Sequence, residues 1–283
     1  MLKHIVLSVN LFYMDKTGVE KKVASHYSRG NVSERILTAL GLQDAADGSV
    51  TIDTLFPIDQ LHHGGVGLTE KMAKVAGIKT GMKLLDAGSG IGGSSRYLAG
   101  TFDCIVQAID ISDEFVRTAE KLDQLVGLSD RIMHCTGSVT ELPFDSSTFD
   151  VVWSQNVSMN VPDKRTMFAE AIRVLRPRGV YVVTHIGEGN GNAVDYPVPW
   201  AMTEDTSFAL PPAELLQLLN GVGFQNITDH AKDTPITPPP PMADGQLDDS
   251  LAMGDDMPIR RANTGRAVAD GRLIPMLVTA VRP

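Results

Sequence analysis

Cysteine and positive charge are both scarce in this sequence. Among 283 residues there are two cysteines, Cys104 and Cys135, which lie in apolar strand-like runs and show neither a metal-ligand spacing nor a disulfide framework. Lysine and arginine number 25 against 34 aspartate and glutamate residues, which gives a net charge of −9. Proteins that bind nucleic acids usually carry a basic surface. The sequence therefore predicts buried reduced thiols and no nucleic-acid partner.

Long apolar runs are also lacking. The N-terminal stretch MLKHIVLSVNLFYMDK contains an apolar run, but this run is too short and too interrupted to cross a membrane. The stretch also has no small-residue cleavage pattern. We therefore expect no membrane partner, and a cytoplasmic location follows by default. Hydrophobic residues make up 43% of the chain, which is typical of a globular protein with a substantial core.

The pattern of apolar residues divides the chain into two parts. Residues 1–80 are predicted to form a mostly helical cap, because apolar residues recur there at helical spacing. A short strand near residues 5–9 and an irregular connection over residues 51–65 belong to this part. Over residues 81–283, strand-like and helical segments alternate, and this alternation predicts βαβ units with a parallel sheet.

The alternating part predicts the fold class. We expect a Rossmann-like α/β fold with a seven-stranded, mostly parallel sheet and helices on both faces. Insertions near the C-terminal strands are expected at residues 186–210 and 232–260, the second of which is rich in proline and acidic residues. A long amphipathic helix, DKRTMFAEAIRVLRPRG, is expected to end at Gly179. The expected core strands are MKLLDAG, CIVQAID, RIMHCTG, STFDVVWSQ and VYVVTHI, followed by QNITDHAK and RLIPMLVTAVRP.

The stretch LLDAGSGIGG matches two nucleotide-binding patterns. Gly88, Gly90 and Gly93 fit the dinucleotide fingerprint GxGxxG, whereas the run from Asp86 to Gly92 fits acid-x-Gly-x-Gly-x-Gly, which indicates S-adenosylmethionine. Asp86 would repel a pyrophosphate, which normally lies on backbone N–H groups at a helix N-terminus. The same carboxylate suits the ammonium group and the cationic sulfonium of S-adenosylmethionine. The second pattern is therefore favoured.

Further segments resemble a known family. GSGIGG, Asp110 in AIDIS, SVTELPFDSSTFDVVWSQ and RVLRPRGVYVVT look like the ordered motifs of class I S-adenosylmethionine-dependent methyltransferases, over roughly residues 80–185. A narrower likeness, over residues 151–184 and in the closing ADGRLIPMLVTAVRP, is to the small-molecule branch with the glycine, sarcosine and dimethylglycine N-methyltransferases. The resemblance implies S-adenosylmethionine as cofactor, S-adenosylhomocysteine as product and a small-molecule acceptor.

The resemblance implies a cofactor site along the strand ends. The glycines would let the backbone pass close to the methionine portion of the cofactor, and Asp110 would accept hydrogen bonds from the ribose hydroxyls. Ser138 stands where family members often carry an acid, so its hydroxyl would have to read the adenine edge. A helix-capping role is the alternative for Asp86. The expected cofactor-binding residues are Asp86, Gly88, Ser89, Gly90, Gly92, Asp110, Ile111, Ser138, Val139 and Gln155.

Four residues are candidates for the methyl-transfer site. Gln155 ends the fourth strand, and ligands of open α/β sheets bind at the carboxyl ends of strands. His185 ends the fifth strand and could act as a base or orienting group, or be a packed histidine. Tyr27 and His62 in the cap are assigned to the acceptor pocket or a lid. His62 and His63 form an adjacent pair, but no complementary ligand spacing accompanies them, so we expect no metal site.

Two enzymatic hypotheses follow. The first is methylation of the nitrogen of a small amine or amino acid by in-line displacement, which needs no dedicated base once the amine has lost its proton. The alternative is O- or C-methylation of a hydrophobic or phenolic metabolite with a histidine base. Trp200 and the other aromatic residues of the first insertion could line such a pocket or merely pack on the core. A non-catalytic nucleoside-binding module and a nicotinamide dehydrogenase are further alternatives, and a homo-oligomer is left open.

Overall fold

The computed structural model describes residues 16–231 and 247–283. The strand predicted near residues 5–9 and the greater part of the proline-rich insertion, residues 232–246, lie outside the described residues. Within the described ranges the seven predicted core strands occur in the predicted order, whereas the helices over residues 52–59, 250–253 and 257–269 are not predicted from the sequence.

A seven-stranded sheet forms the centre of the molecule. Its strand order is β3-β2-β1-β4-β5-β7-β6, with β7 antiparallel to both β5 and β6 and the other pairs parallel. The predicted Rossmann-like, mostly parallel sheet is therefore confirmed. The strands are β1 Lys83–Ala87, β2 Ile105–Asp110, β3 Ile132–Thr136, β4 Phe149–Gln155, β5 Leu175–Glu188, β6 Gln225–Asp229 and β7 Leu273–Val281.

Ten α-helices surround this sheet in the described ranges. Ser112 caps the N-terminus of one of them, since its hydroxyl accepts a hydrogen bond from the backbone N–H of Phe115. The helices are α1 Lys16–Tyr27, α2 Val32–Leu40, α3 Ile52–Asp59, α4 Gly65–Ala76, α5 Gly93–Phe102, α6 Asp113–Leu125, α7 Lys164–Val174, α8 Pro212–Gly221, α9 Ser250–Met253 and α10 Met257–Ala269.

The structure corrects three boundaries. The segment predicted as an irregular connection contains helix α3, in which Leu55 and Ile58 are fully buried at helical spacing. Helix α7 ends at Val174 and does not reach Gly179, because Leu175 already pairs with Phe149 as part of β5. The second predicted insertion holds the short helix α9 and the beginning of α10, so the part of it that the structure describes is ordered secondary structure.

Helices cover both faces of the sheet. Neighbouring residues in one strand point to opposite faces, and Leu84 and Leu85 belong to two different apolar clusters. One cluster joins Leu85 and Tyr181 to helices α7 and α8, and the other joins Leu84 and Trp153 to α4 and α5. A third cluster packs α2 and α3 against α6 and α9. The division of the chain at residue 80 remains a prediction.

Candidate active site

A cavity lies beyond the carboxyl ends of β1, β2, β3 and β4. The chain leaves β1 into the glycine loop, β2 at Asp110, β3 at Gly137 and β4 at Asn156, and all four points line this cavity. Parallel strands bring these ends to one edge of the sheet, which is where ligands of open α/β sheets bind. We call this the cofactor cavity. It contains every predicted cofactor-binding residue except Gly92.

The glycine loop has the backbone conformation that its residues require. Gly88, Gly90 and Gly92 have φ values of 89°, 55° and 86°, in the left-handed region that glycine adopts without strain. A Cβ atom on Gly88 would overlap the methyl groups of Val157. Gly92 precedes α5 and, by contrast, does not line the cavity. The loop therefore presents backbone to the cavity and leaves room for a ligand.

Two buried carboxylates face the cofactor cavity. Asp110 accepts hydrogen bonds from the backbone N–H groups of Gly90 (2.8 Å) and Ser112 (2.9 Å), which orient both of its oxygens. Asp86 accepts one from the hydroxyl of Ser95 at 2.7 Å and does not cap the helix through a backbone N–H. Burial raises the pKa of both groups, that of Asp86 to about 6.

The residues of this cavity fit a cationic nucleoside ligand. Buried carboxylates with a raised pKa gain stability from a positive charge, which S-adenosylmethionine carries on its sulfonium and ammonium groups. Ser89 is a second indication that a ligand binds here, because its buried hydroxyl lines the cavity and has no hydrogen-bond partner among the described residues. Such an unpaired buried group is costly unless a ligand or water satisfies it. The two carboxylates and the Ser89 hydroxyl thus suit S-adenosylmethionine.

A second cavity adjoins the first. It is lined on one side by the cap helix α3 and the start of α4, and on the other by the first insertion and helices α9 and α10. Trp200 lines it, whereas Tyr196 and Phe208 do not. We call this the acceptor cavity. Its apolar lining consists of Phe56, Pro57, Leu61, Val66, Met159, Ile186, Pro199, Trp200, Met253 and Met257.

Four residues line both cavities, namely Tyr27, Leu61, His62 and Asn156. They mark the junction at which ligands in the two cavities would meet. The Tyr27 hydroxyl donates to the side-chain oxygen of Asn160 at 2.8 Å, and burial raises the pKa of Tyr27. Tyr27 and His62, both predicted from the sequence, are therefore brought to one place.

Gln155 lies beside the junction with its amide fully engaged. Its oxygen accepts hydrogen bonds from Ser94 (2.7 Å) and from the indole N–H of Trp153 (3.1 Å). Its nitrogen lies 3.1 Å from Nδ1 of His62. These contacts direct the Gln155 N–H towards the imidazole, so Nδ1 of His62 accepts and Nε2 carries the proton.

His62 is held as a neutral imidazole. Burial lowers its pKa to about 4, and this effect outweighs the opposing contribution of the His63 backbone. Its Nε2 lies 3.2 Å from the side-chain oxygen of Gln60, which also accepts from Thr69 at 2.8 Å. The cap thus fixes one nitrogen of His62 and the core fixes the other through Gln155.

The structure does not bring His185 to either cavity. Its ring nitrogens lie 2.7 Å from the Ser158 hydroxyl and 3.2 Å from the backbone of Leu210, and the side chain is 1% exposed. Burial and, second, the charge of Lys164 lower the pKa of His185 to about 3. Of the two interpretations of His185, this geometry fits the packed histidine, because β5 turns its side chain towards the insertion.

Other expectations concern metals and membranes. Within residues 16–231 and 247–283, no group of three or more His, Cys, Asp or Glu side chains has the arrangement of a metal site. Among those residues there is also no helix long and apolar enough to cross a bilayer. The thiols of Cys104 and Cys135 are free, one buried and one partly buried.

Sequence reasoning missed several residues of the site. Arg96 is fully buried and joins Asp59 of the cap to Asp123 of α6, and Glu20 of α1 reaches the cofactor cavity. Nothing in the order of residues distinguishes Arg96 from a surface arginine on a helix. Asp59 also lines the cofactor cavity, and Gln60 lines the second cavity.

The comparisons with known proteins agree with this geometry. A protein family described as "Methyltransferase domain" matches residues 85–183, which run from β1 into β5. Residues 85–183 are a methyltransferase domain. The predicted likeness to S-adenosylmethionine-dependent methyltransferases, an enzyme class, is thereby confirmed together with the cofactor of that class. The cofactor cavity lies at the strand ends of this methyltransferase domain.

Two relatives extend the similarity beyond the methyltransferase domain. A sarcosine/dimethylglycine N-methyltransferase of Aphanothece halophytica is 30% identical over 167 residues, which is 59% of this chain and 59% of that protein. A glycine/sarcosine/dimethylglycine N-methyltransferase of Actinopolyspora halophila is 34% identical over 115 residues, 41% of this chain and 20% of the relative. The chain thus spans less than two thirds of the length of either relative.

A solved structure shares the fold over most of the chain. Geranyl diphosphate C-methyltransferase from Streptomyces coelicolor, in complex with Mg²⁺, geranyl-S-thiolodiphosphate and S-adenosylhomocysteine, superposes with a TM-score of 0.65 at 18% identity. The match covers 94% of this chain and 98% of that one. At this identity the likeness concerns the fold, which includes the regions outside the methyltransferase domain.

Proposed function

We propose that this chain transfers a methyl group from S-adenosylmethionine to a small molecule with an extended apolar body. The observation that carries the proposal is the junction of the two cavities. A cavity that fits the cofactor and contains two buried carboxylates meets a second, mostly apolar cavity at Tyr27, Leu61, His62 and Asn156. Pockets lined by apolar side chains with a few polar groups are typical of small-molecule sites.

The cofactor would be held along the ends of three strands. The glycine loop and Asp86 would surround its amino-acid portion, Asp110 its ribose, and the residues after β3 its base. When bound, S-adenosylmethionine would supply a methyl group on its cationic sulfonium: an acceptor atom would attack the methyl carbon in line, the carbon–sulfur bond would break and S-adenosylhomocysteine would leave. The chain's own contribution is to hold the acceptor against the junction and to exclude water. Such positioning is worth about 7–11 kcal/mol in favourable cases.

The apolar lining favours the hydrophobic acceptor over a small amino acid. Glycine and its N-methyl derivatives offer little apolar surface to Phe56, Met253 or Met257. Each buried CH₂ group contributes about 0.8 kcal/mol to binding an apolar body. The acceptor atom would then be an oxygen or a carbon, in agreement with the second sequence-based hypothesis.

His62, Gln155 and Tyr27 are the side chains proposed for the transfer site. A hydroxyl or carbon acceptor has to lose a proton during or after attack, and His62 is the neutral imidazole at the junction. Its Nδ1 lone pair accepts from Gln155, so the acceptor would have to replace that contact to use it. A pKa of about 4 makes His62 a weak base, which suits an acceptor that becomes strongly acidic on methylation.

A second candidate, N-methylation of an amine, has its own support. Asp248 and Asp249 line the acceptor cavity and pair with Arg261, so charged groups stand in an otherwise apolar wall. The relatives named for sarcosine and dimethylglycine methylation point the same way. The ammonium group of a cationic or zwitterionic acceptor could replace Arg261 as the partner of Asp248 or Asp249.

The predicted cytoplasmic location and oligomerisation stay predictions.

The test uses trideuteromethyl S-adenosylmethionine with two sets of acceptors. One set contains phenols, quinols and unsaturated apolar compounds, and the other contains glycine, sarcosine and dimethylglycine. Mass spectrometry should find the label on a member of the first set. Label on the amino acids alone would overturn the apolar acceptor and establish N-methylation. Cofactor binding without transfer to either set or to a metabolite extract would favour a non-catalytic module.

Two matched variants test the acceptor cavity. Val66→Trp fills the cavity from α4, whereas Ile259→Trp adds the same ring at a position that is 59% exposed. We expect Val66→Trp to raise KM for the acceptor about tenfold or more, with little change in the Kd of the cofactor. Ile259→Trp should behave as the unmodified protein. An unchanged KM in Val66→Trp would place the acceptor elsewhere.

A further inference from the structure

Helix α1 places a carboxylate in the cofactor cavity. Glu20, Val23 and Tyr27 recur at helical spacing and all line that cavity, so one face of α1 forms part of its wall. The side-chain oxygen Oε1 of Glu20 accepts a hydrogen bond from the Ser138 hydroxyl at 2.7 Å. Thr140 lies 3.4 Å from the same oxygen. The cap thus contacts the loop after β3 through a polar cluster.

The order of the strands shows which part of a bound nucleoside would reach this cluster. In the sheet β1, β2 and β3 are neighbours, and adjacent strands lie about 4.8 Å apart. A ligand that starts at the glycine loop after β1 and passes Asp110 after β2 therefore extends to Ser138 after β3. Ile111, Phe115 and Val139 line the cavity near that end and provide apolar surface for a flat base.

The second oxygen of Glu20 is the group suited to the base. No described residue donates a hydrogen bond to Oε2, while Ser138 and Thr140 hold the carboxylate through Oε1. A carboxylate only accepts hydrogen bonds, and the exocyclic amino group of adenine only donates them. If the base carried a carbonyl oxygen at that position, this oxygen and Oε2 of Glu20 would be two hydrogen-bond acceptors in contact, with no proton between them.

We propose that Glu20 is the residue through which this chain selects adenine, by accepting a hydrogen bond from the exocyclic amino group. The inference rests on the proposed function, since it takes the cofactor to be an adenosyl compound. It also makes α1 part of the cofactor site, although this helix precedes the methyltransferase domain by more than fifty residues of sequence. Tyr27 at the junction lies on the same helix, so cofactor and acceptor sites share one element.

The test compares two ligands by calorimetry without any acceptor. The ligands are S-adenosylhomocysteine and its hypoxanthine analogue, in which a carbonyl oxygen replaces the amino group. We expect the unmodified protein to bind the adenine compound at least about tenfold more tightly. In Glu20→Gln the preference should fall to within about threefold, because an amide both donates and accepts. Lys21→Gln, on the exposed side of the same helix, should keep the full preference.

A rescue variant separates recognition from a structural role. Ser138→Asp in the Glu20→Gln background puts a carboxylate beside the position of the missing one and should restore most of the preference. Glu20→Gln retaining the full preference, or an unmodified protein that binds both ligands equally, would overturn the inference alone. An unmodified protein that binds neither ligand would overturn the proposed function as well. Thermal unfolding of each variant checks that α1 and the core remain folded.

Discussion

The guanidinium of Arg96 binds the carboxylate of Asp59 through two nitrogens, Nε at 3.1 Å and Nη2 at 3.0 Å, and neither side chain reaches solvent. Arg96 also binds Asp123 at 2.8 Å and donates to the backbone oxygen of Ile91 at 2.6 Å. Burial alone would lower the pKa of Arg96, but the two carboxylates raise it. One side chain therefore joins the cap helix α3, the glycine loop and helix α6.

Removing this arginine should destabilise the fold strongly. In Arg96→Met, the carboxylate of Asp59 would stay buried without a counter-charge and Asp123 would keep only its contact with His134, and breaking a buried ion pair in this way typically costs about 3–5 kcal/mol. Urea unfolding should show a decrease of that size in the free energy of unfolding. The matched control is Arg117→Met, whose ion pair with Asp113 is exposed and should matter by less than about 1 kcal/mol. Equal losses in the two variants would contradict the proposed role.

Gly88 and Gly90 should differ in their tolerance of a side chain. Gly88→Ala would place Cβ against Val157 at a φ of 89°, so strain and overlap together should cost about 2–5 kcal/mol. In Gly90→Ala the nearest atom, on Leu61, is 3.4 Å away and φ is 55°, so the cost should be about 1 kcal/mol. Thermal unfolding of the two variants measures this difference in stability. Adding Val157→Ala to Gly88→Ala should recover part of the loss, and no recovery would contradict the overlap.

Cofactor affinity should depend on the ionisation of Asp86. Its pKa of about 6 means that the carboxylate gains a proton as pH falls below that value, and a cationic ligand prefers the ionised form. The Kd of S-adenosylmethionine should therefore rise about tenfold between pH 7 and pH 5. Calorimetry at several pH values measures this change. Asp86→Asn should bind S-adenosylmethionine more weakly, with a Kd that does not change over the same pH range. A Kd that is independent of pH in the unmodified protein would contradict the prediction.

His62 and His185 should respond differently to substitution. His62 lies at the junction, so His62→Ala should lower kcat about a hundredfold or more, the range expected for a general acid or base. His185 is outside both cavities, and His185→Gln should keep kcat within a few-fold. Steady-state kinetics with the acceptor that takes up the label compare the two variants. A larger loss in His185→Gln, in folded protein, would return His185 to the transfer site.

His185 should instead affect stability in acid. Its folded-state pKa is about 3, against an ordinary value of 6.5, so the unfolded chain binds a proton below pH 6.5 that the folded chain does not. The free energy of unfolding should therefore fall as pH drops from 6.5 towards 3. In His185→Gln this fall should be less steep. Urea unfolding at pH 7, 6 and 5 gives the slopes, and identical slopes would contradict the assignment.

The cofactor side of the site could be predicted because its signals are local. A glycine that needs φ near 90° and an acid at a strand end are recognisable from neighbours in sequence, as Gly88 and Asp110 show. The acceptor side could not be predicted in this way. Its walls come from α3, the first insertion and α10, and only packing brings Phe56 beside Trp200 and Met257.

His185 and Glu20 show the same limit from opposite directions. His185 has the favoured residue type at a favoured strand end, yet a hydrogen bond to Ser158 turns it away from the cavities. Glu20 belongs to no motif, yet the docking of α1 brings it to Ser138, across more than a hundred residues of sequence.

The sequence by itself determined the fold class, the cofactor class and the edge of the sheet at which the cofactor cavity lies. These properties depend on hydrophobic period and on backbone conformations that a few residues impose locally. The tertiary structure alone decided which groups line the acceptor cavity, which histidine reaches the junction and how Arg96 is paired. Those properties depend on contacts between distant segments, whose free energy is set by burial and charge pairing after the chain has folded.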